Sequence, residues 1–283
     1  MSVNSSSDRM HCQDPDLSST LSLSYSIGNI LLITPASIFV LHLGQRRWRQ
    51  QRSCTTTSHS DVFTYHSVVL NLIYGLGALL FNCGAYINDQ KIYLLGSYLA
   101  APYFPGLTLF QVLTCVERYL AVVHPITYLG LRQSGGVRIR NVSIAFGWLW
   151  ISAWVGIFHL YYPKIPHVPY FVVLATSLVG ISFCSISVLC VLIHPGPGDV
   201  GGNSPRVDRS KRNAFNTMTA ILAVLCLFFV SFIVALAVEN SQVLSYNVGC
   251  AVLIAALWFS LPVSLVLPML FIHRSGKLLC WPC

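Results

Sequence analysis

The sequence predicts an all-α membrane protein: a bundle of seven transmembrane helices with an extracellular N-terminus and a short amphipathic eighth helix. Three observations lead there. Asp, Glu, Lys and Arg make up only 9% of the 283 residues, against about 25% in an ordinary globular chain. Apolar residues make up 54%, and so few charges cannot cover the surface of a soluble protein of this size. The apolar residues gather into seven long stretches, and the basic residues lie almost wholly on one side of them.

Taken in order, the stretches are residues 25–44, 62–87, 93–123, 142–162, 168–193, 214–238 and 243–272. Each reaches the ~20 residues that a helix needs to cross a bilayer. The third and seventh are longer and are expected to tilt or project past the lipid. The second contains Asn71, Asn82 and three glycines, so it is expected to face the bundle rather than lipid. Pro102, Pro105 and Gly106 interrupt the third and predict a bend in its outer half. Residues 1–24 form an extracellular tail, 25–272 the bundle, and 273–283 a cytoplasmic amphipathic helix and tail. Loops this short leave no place for a soluble domain, and no internal repeat suggests a duplicated transporter.

Orientation follows from the short loops, since cytoplasmic loops are rich in Lys and Arg. With the N-terminus outside, 14 of the 17 basic residues fall on the inner face and only Arg9, Lys91 and Lys164 on the outer. The inner face then carries +10 and the outer −2, which accounts for the net charge of +8. That charge reports orientation and lipid contact and gives no support to nucleic-acid binding. Residues 2–22 are polar with three Asp residues and do not read as a cleavable signal peptide, so the first span is expected to direct insertion. Asn4-Ser5-Ser6 is a glycosylation sequon on the outer side, whereas Asn141-Val142-Ser143 lies at an inner helix end and is expected to stay bare.

Of the ten cysteines, six lie inside spans, where Cys is an ordinary small apolar residue. Cys54, Cys280 and Cys283 fall on the cytoplasmic side and are expected to be reduced. Cys280 and Cys283 follow a basic segment just after the last span, which suits reversible palmitoylation as well as it suits idle thiols. The sequence implies no metal or organic cofactor.

At the inner end of the third stretch stands Cys115-Val116-Glu117-Arg118-Tyr119-Leu120-Ala121-Val122-Val123-His124-Pro125-Ile126. Read physically, Arg118 at a membrane boundary is tolerable if Glu117 beside it neutralises it and both reach water. Such an arginine can exchange its carboxylate for carbonyls of a partner entering from the cytoplasm. Pro125 stops the helix and puts Ile126 on an exposed loop, where an apolar side chain can enter a partner's pocket.

This run resembles the Glu/Asp-Arg-Tyr segment and following Leu-Ala-Val-Val-His-Pro of rhodopsin-like (class A) G-protein-coupled receptors. The resemblance implies a plasma-membrane receptor that passes an extracellular signal to a heterotrimeric G protein. Glu117, Arg118, Tyr119, Pro125 and Ile126, with Lys211 and Arg212 leading into the sixth span, would then form the coupling face. It also implies that Asn71, Phe229, Pro268 and Phe271 stand at switch positions in the helix packing. The other family motifs are altered. Gly28-Asn29 is similar to the family's Gly-Asn pair, and Asn71 stands where the family usually has Asp. Trp148, with Trp150 as a rival, fits the fourth-span tryptophan. The fifth span lacks its proline, the sixth reads Phe228-Phe229-Val230-Ser231 for Cys-Trp-x-Pro, and the seventh reads Leu267-Pro268-Met269-Leu270-Phe271 for Asn-Pro-x-x-Tyr. Tyr93 takes roughly the place of the third-span cysteine, so the family's outer disulfide is not expected. The segment 273–279 resembles the short helix on the inner membrane surface.

Around the outer half of the third span lie Ala100, Tyr103 and Phe104, and Phe229, Phe232 and Trp258 are expected to face them, giving an apolar, aromatic ligand pocket. The same aromatics equally suit a packed core and an interfacial belt. The ligand would be largely apolar; an amine is disfavoured because no Asp stands there. The basic run 45–52 suits anchoring to anionic lipid. The alternative to a signalling receptor is a non-signalling seven-helix scaffold or decoy. An enzyme is the least favoured class, since no His-Glu-x-x-His and no intramembrane nucleophile with a base is present. The orientation itself is testable: in cells the chain is expected to shift on glycosidase treatment, and Asn4→Gln to abolish the shift. A shift that survives Asn4→Gln but is lost in Asn141→Gln would invert the topology.

Overall fold

The computed structural model describes residues 17–50, 59–134, 136–162, 167–193, 205–240 and 246–276. Asn4, Cys12, Cys54, Cys280 and Cys283 lie outside the described residues, as does most of the expected amphipathic eighth helix. Those that are described form ten helices and no strand: α1 (Leu17–Gln50), α2 (His59–Ile87), α3 (Gln90–Ala100), α4 (Tyr103–Val123), α5 (Pro125–Ser134), α6 (Gly136–Tyr161), α7 (His167–Ile193), α8 (Pro205–Asn240), α9 (Tyr246–Leu257) and α10 (Ser260–Gly276). Six spans are long and apolar enough to cross a membrane, and α8 carries a shorter apolar run, Thr219–Ala235, at the sixth expected position. The chain is thus an all-helical, multi-pass membrane protein with six to seven membrane-capable helices.

Helix faces follow the 3.6-residue period. In α1, Tyr25, Asn29, Ile33, Ser37 and Val40 are buried, while Leu31, Leu32, Ile38 and Phe39 are exposed. A soluble protein would hide the second set; here it is the surface that lipid wets. Helix α4 lies at the centre, with Tyr103, Leu107, Phe110, Gln111, Thr114 and Cys115 all buried.

The sharp reversal between α2 and α3 is made by Asn88, which adopts φ 58, a left-handed conformation that Asn tolerates. Asp89 then caps α3, its carboxylate accepting from Lys91 N at 2.8 Å and Ile92 N at 3.3 Å. Two glycines let the helices meet backbone to backbone. A Cβ on Gly84 would fall within 3.0 Å of the Tyr93 backbone, and one on Gly96 within 3.0 Å of Phe81. Between membrane helices, where apolar burial supplies little drive, such close approach is what holds the pair.

The expected bend in the third span falls between α3 and α4, where Ala101 and Pro102 interrupt the helix while keeping right-handed conformations. Pro105 has no N–H to offer the Ala101 carbonyl, and in lipid that carbonyl would be costly to leave bare. Tyr170 of α7 supplies the donor, its hydroxyl meeting Ala101 O at 2.5 Å. The seventh span breaks in the same way between α9 and α10. Pro262 cannot donate to Trp258 O, and Leu261 N takes it instead at 3.2 Å, while Ser260 Oγ donates to Leu257 O at 2.6 Å. At its C-terminal end, α10 runs through His273 to Gly276 without interruption, so the expected start of a separate eighth helix is the last turn of α10.

Gly84→Val is expected to force α2 from α3 and to lower the melting temperature of the purified protein by more than about 5 °C. Gly156→Ala, where an added Cβ meets nothing within 4 Å, is expected to shift it by under about 1 °C. Equal melting temperatures for the two variants would refute the close α2–α3 approach.

Candidate functional site at the inner end of the bundle

The residues of the 115–126 run occupy the last turns of α4 and the start of α5. His124 ends α4 with its N–H on Leu120 O at 3.1 Å, in a non-helical conformation (φ −126, ψ 61) that the following proline favours. Pro125 then opens α5, where its missing N–H costs nothing, and Ile126 is 85% exposed. Tyr119 packs edge-on against His124 at 5.5 Å and against Phe183 of α7 at 5.8 Å.

Glu117 and Arg118 point to different surroundings. Glu117 is buried, and Tyr128 of α5 donates its hydroxyl to Glu117 Oε1 at 3.1 Å. Arg118 is half-buried and lines a small cavity where four helices meet. Asp61 and Thr64 of α2 form one wall and Thr114 joins Arg118 on α4; Ile221 of α8 and Leu267, Leu270 and Phe271 of α10 complete it. Its volume of about 10 Å³ matches a single water molecule. The sequence expectation that Glu117 alone attends Arg118 therefore gains a second carboxylate, Asp61, from another helix.

Of the expected packing-switch residues, Phe271 is buried and packs edge-on against Tyr65 at 5.4 Å. Pro268 lies buried inside α10. Lys211 and Arg212 fall on α8, but their side chains are not among those described. Asn71 is 2% exposed and accepts from the Tyr103 hydroxyl at 3.0 Å. The same hydroxyl bonds Ser264 Oγ of α10 at 2.5 Å, and Gln111 Nε2 donates to Val263 O at 3.2 Å. These contacts tie α2, α4 and α10 together in mid-membrane.

The residues named for an outer ligand pocket are packed rather than open. Tyr103 has no exposed surface and stacks on Tyr74 at 4.0 Å. Phe104 stacks on Phe228 at 5.7 Å, and Phe232 packs against Phe228 at 5.9 Å. Phe229 is buried, Ala100 and Phe232 border the core, and Trp258 is 37% exposed at the α9–α10 break. Of the two interpretations of these aromatics, the packed core describes the arrangement. On α6 the indole of Trp148, not that of Trp150, has a defined partner, donating to His66 Nδ1 of α2 at 3.1 Å.

Asp61, Tyr128, Gln111 and Ser264 were not singled out from the sequence. A signal for Asp61 exists: Asp61 and Thr64 are three residues apart on α2, Thr114 and Arg118 four apart on α4, so each pair makes one polar stripe. Tyr128 offers no comparable pattern. Among the described residues no cluster of metal-ligating side chains is formed.

A helical multi-pass bundle with a charged site lined by four helices points to a class of protein rather than one member of it. No protein-family model matches the chain. Half of it, 155 residues, is 27% identical to the human prostaglandin E2 receptor EP2 subtype. The chain spans about two fifths of that receptor's length. This similarity and the apolar helices together fit a receptor of the G-protein-coupled type.

Tyr103→Phe leaves Asn71 Oδ1 and Ser264 Oγ short of a buried partner. It is expected to cost about 1–3 kcal/mol and to be read as a lower melting temperature. An unchanged melting temperature would mean that Tyr103 does not tie the three helices.

Proposed function

We propose that the chain is a divergent rhodopsin-like G-protein-coupled receptor of the plasma membrane, with its N-terminus outside. The observation that carries this is the 115–126 run, placed where the α4 terminus, α5 and the Arg118 cavity share one end of the bundle. The 27% identity to a prostaglandin receptor supports the same reading.

Arg118 shares its cavity with Ile221 of α8 and Leu270 of α10. Outward movement of the inner end of α8 removes one wall of the cavity and bares the guanidinium to the cytoplasm. Five N–H donors in a planar fork then meet the carbonyls of an entering G-protein segment. Ile126 gives that segment an apolar contact nearby. A ligand drives the change only by binding the open bundle more tightly than the closed one. The ligand class is largely apolar, and prostaglandin E2, named for the similar human receptor, is the first to try.

A second reading has an observation of its own. α8 has no proline after Pro205, and Phe228 is stacked into α4, which favours a bundle that keeps the fold as a scaffold or decoy without signalling. Nucleotide exchange on purified heterotrimeric G proteins separates the two. The reconstituted chain is expected to accelerate exchange on at least one G protein, with or without an apolar ligand, and Arg118→Ala to reduce that acceleration at least tenfold. No exchange with any G protein supports the scaffold. Exchange that survives Arg118→Ala intact removes Arg118 from the coupling face.

A further inference from the structure

The inner cavity holds one pairing that the 115–126 run does not contain. Arg118 is a permanent cation in a space otherwise walled by two threonine hydroxyls and by Ile221, Leu267, Leu270 and Phe271. A guanidinium facing apolar side chains is stabilised by a nearby carboxylate. Glu117 is the sequence neighbour, but adjacent residues on a helix point about 100° apart, and its Oε1 is engaged by Tyr128 of α5. Asp61 is the carboxylate in the cavity wall, lining the same small space as Arg118. Asp61 also lies in the first turn of α2, at the positive end of the helix dipole.

We propose that Asp61 is the counter-ion of Arg118, a positioning residue that clamps the inner ends of α2 and α4 and holds the arginine inside the closed bundle. Glu117 serves a different tie: it fastens α5 to α4 through Tyr128. Opening the bundle must then break the Asp61 clamp, and weakening the clamp favours the open form. The switch role rests on the receptor reading above; the pairing itself does not.

The test uses the full chain in lipid nanodiscs and needs no G protein for its first arm. Melting temperatures are compared for the parent, Asp61→Asn, Arg118→Gln, the double variant and Asp61→Glu. Each neutralising single change is expected to lower the midpoint by about 3–6 °C. The double variant should melt no lower than the worse single, and Asp61→Glu should recover at least half of the loss. Additive losses, or no loss in Asp61→Asn, overturn the pairing. So does a cycle in which Glu117→Gln, rather than Asp61→Asn, is non-additive with Arg118→Gln. If Arg118→Gln does not survive purification, the contrast between Asp61→Asn and Asp61→Glu decides alone: equal melting temperatures overturn the proposal. The second arm reads ligand-free nucleotide exchange, where Asp61→Asn is expected to exceed the parent at least threefold and Asp61→Glu to stay near it. Parent-level exchange in Asp61→Asn, in a chain that couples, overturns the clamp as a switch. A parent that never couples defeats the receptor reading and leaves the first arm to decide the pairing.

Discussion

The Tyr103 hydroxyl is the tie on which the bundle's interior depends. Helices in lipid gain little by hiding apolar faces from one another, because the lipid is as apolar as they are. They are held by close packing and by polar contacts that have no water to compete with them. Tyr103 has no exposed surface, and one oxygen bonds both Asn71 of α2 and Ser264 of α10. Its ring lies against Tyr74, so position and hydrogen bonding are fixed together. The chain starts α4 at this residue, directly after the Pro102 break, and every residue of α4 below it inherits that register. Arg118 is 15 residues farther along, about four turns, and so is aimed by the same anchor.

Proline breaks are the means by which straight apolar segments acquire such anchors. Each leaves a carbonyl bare, and each is answered by a donor from a defined place: Tyr170 of α7 for Ala101, and the next amide for Trp258. The first solution binds two spans to each other. The second is local and only redirects α10, turning Ser260 toward Tyr25 of α1 at 2.8 Å and Ser264 toward Tyr103.

The all-helical, multi-pass character was legible because hydropathy over ~20 residues records the bilayer directly; against the seven spans expected, the described residues give six and a shorter apolar run, Thr219–Ala235. The α3–α4 junction was legible as Pro102 and Pro105. The α9–α10 break was missed: Pro262 was read as part of one continuous span. In the site, Glu117 and Arg118 were legible because twelve ordered residues carried them. Asp61 was not, because a single acidic residue at a helix start looks like a solvated end until another helix brings a cation to it. The aromatics Tyr103 and Phe104 were visible as a cluster, but composition does not distinguish a cluster that encloses space from one that fills it. Here ring stacking at 4.0 and 5.7 Å fills it.

The kinds of contact along α4 also differ from neighbour to neighbour. Toward α10 it meets Ser264 through Tyr103 and Val263 O through Gln111. Both are directional and buried, and breaking either in lipid exposes a polar group with no water to take it up. Toward α2 it has the Tyr103–Asn71 bond and the Arg118 wall shared with Asp61. Toward α8 it presents Phe104 against Phe228 and the cavity edge at Ile221. Ring faces and branched side chains are held by dispersion, which sets no donor or acceptor direction. The α4–α8 seam thus rests on ring and branched side-chain packing, while hydrogen bonds tie α4 to α2 and α10.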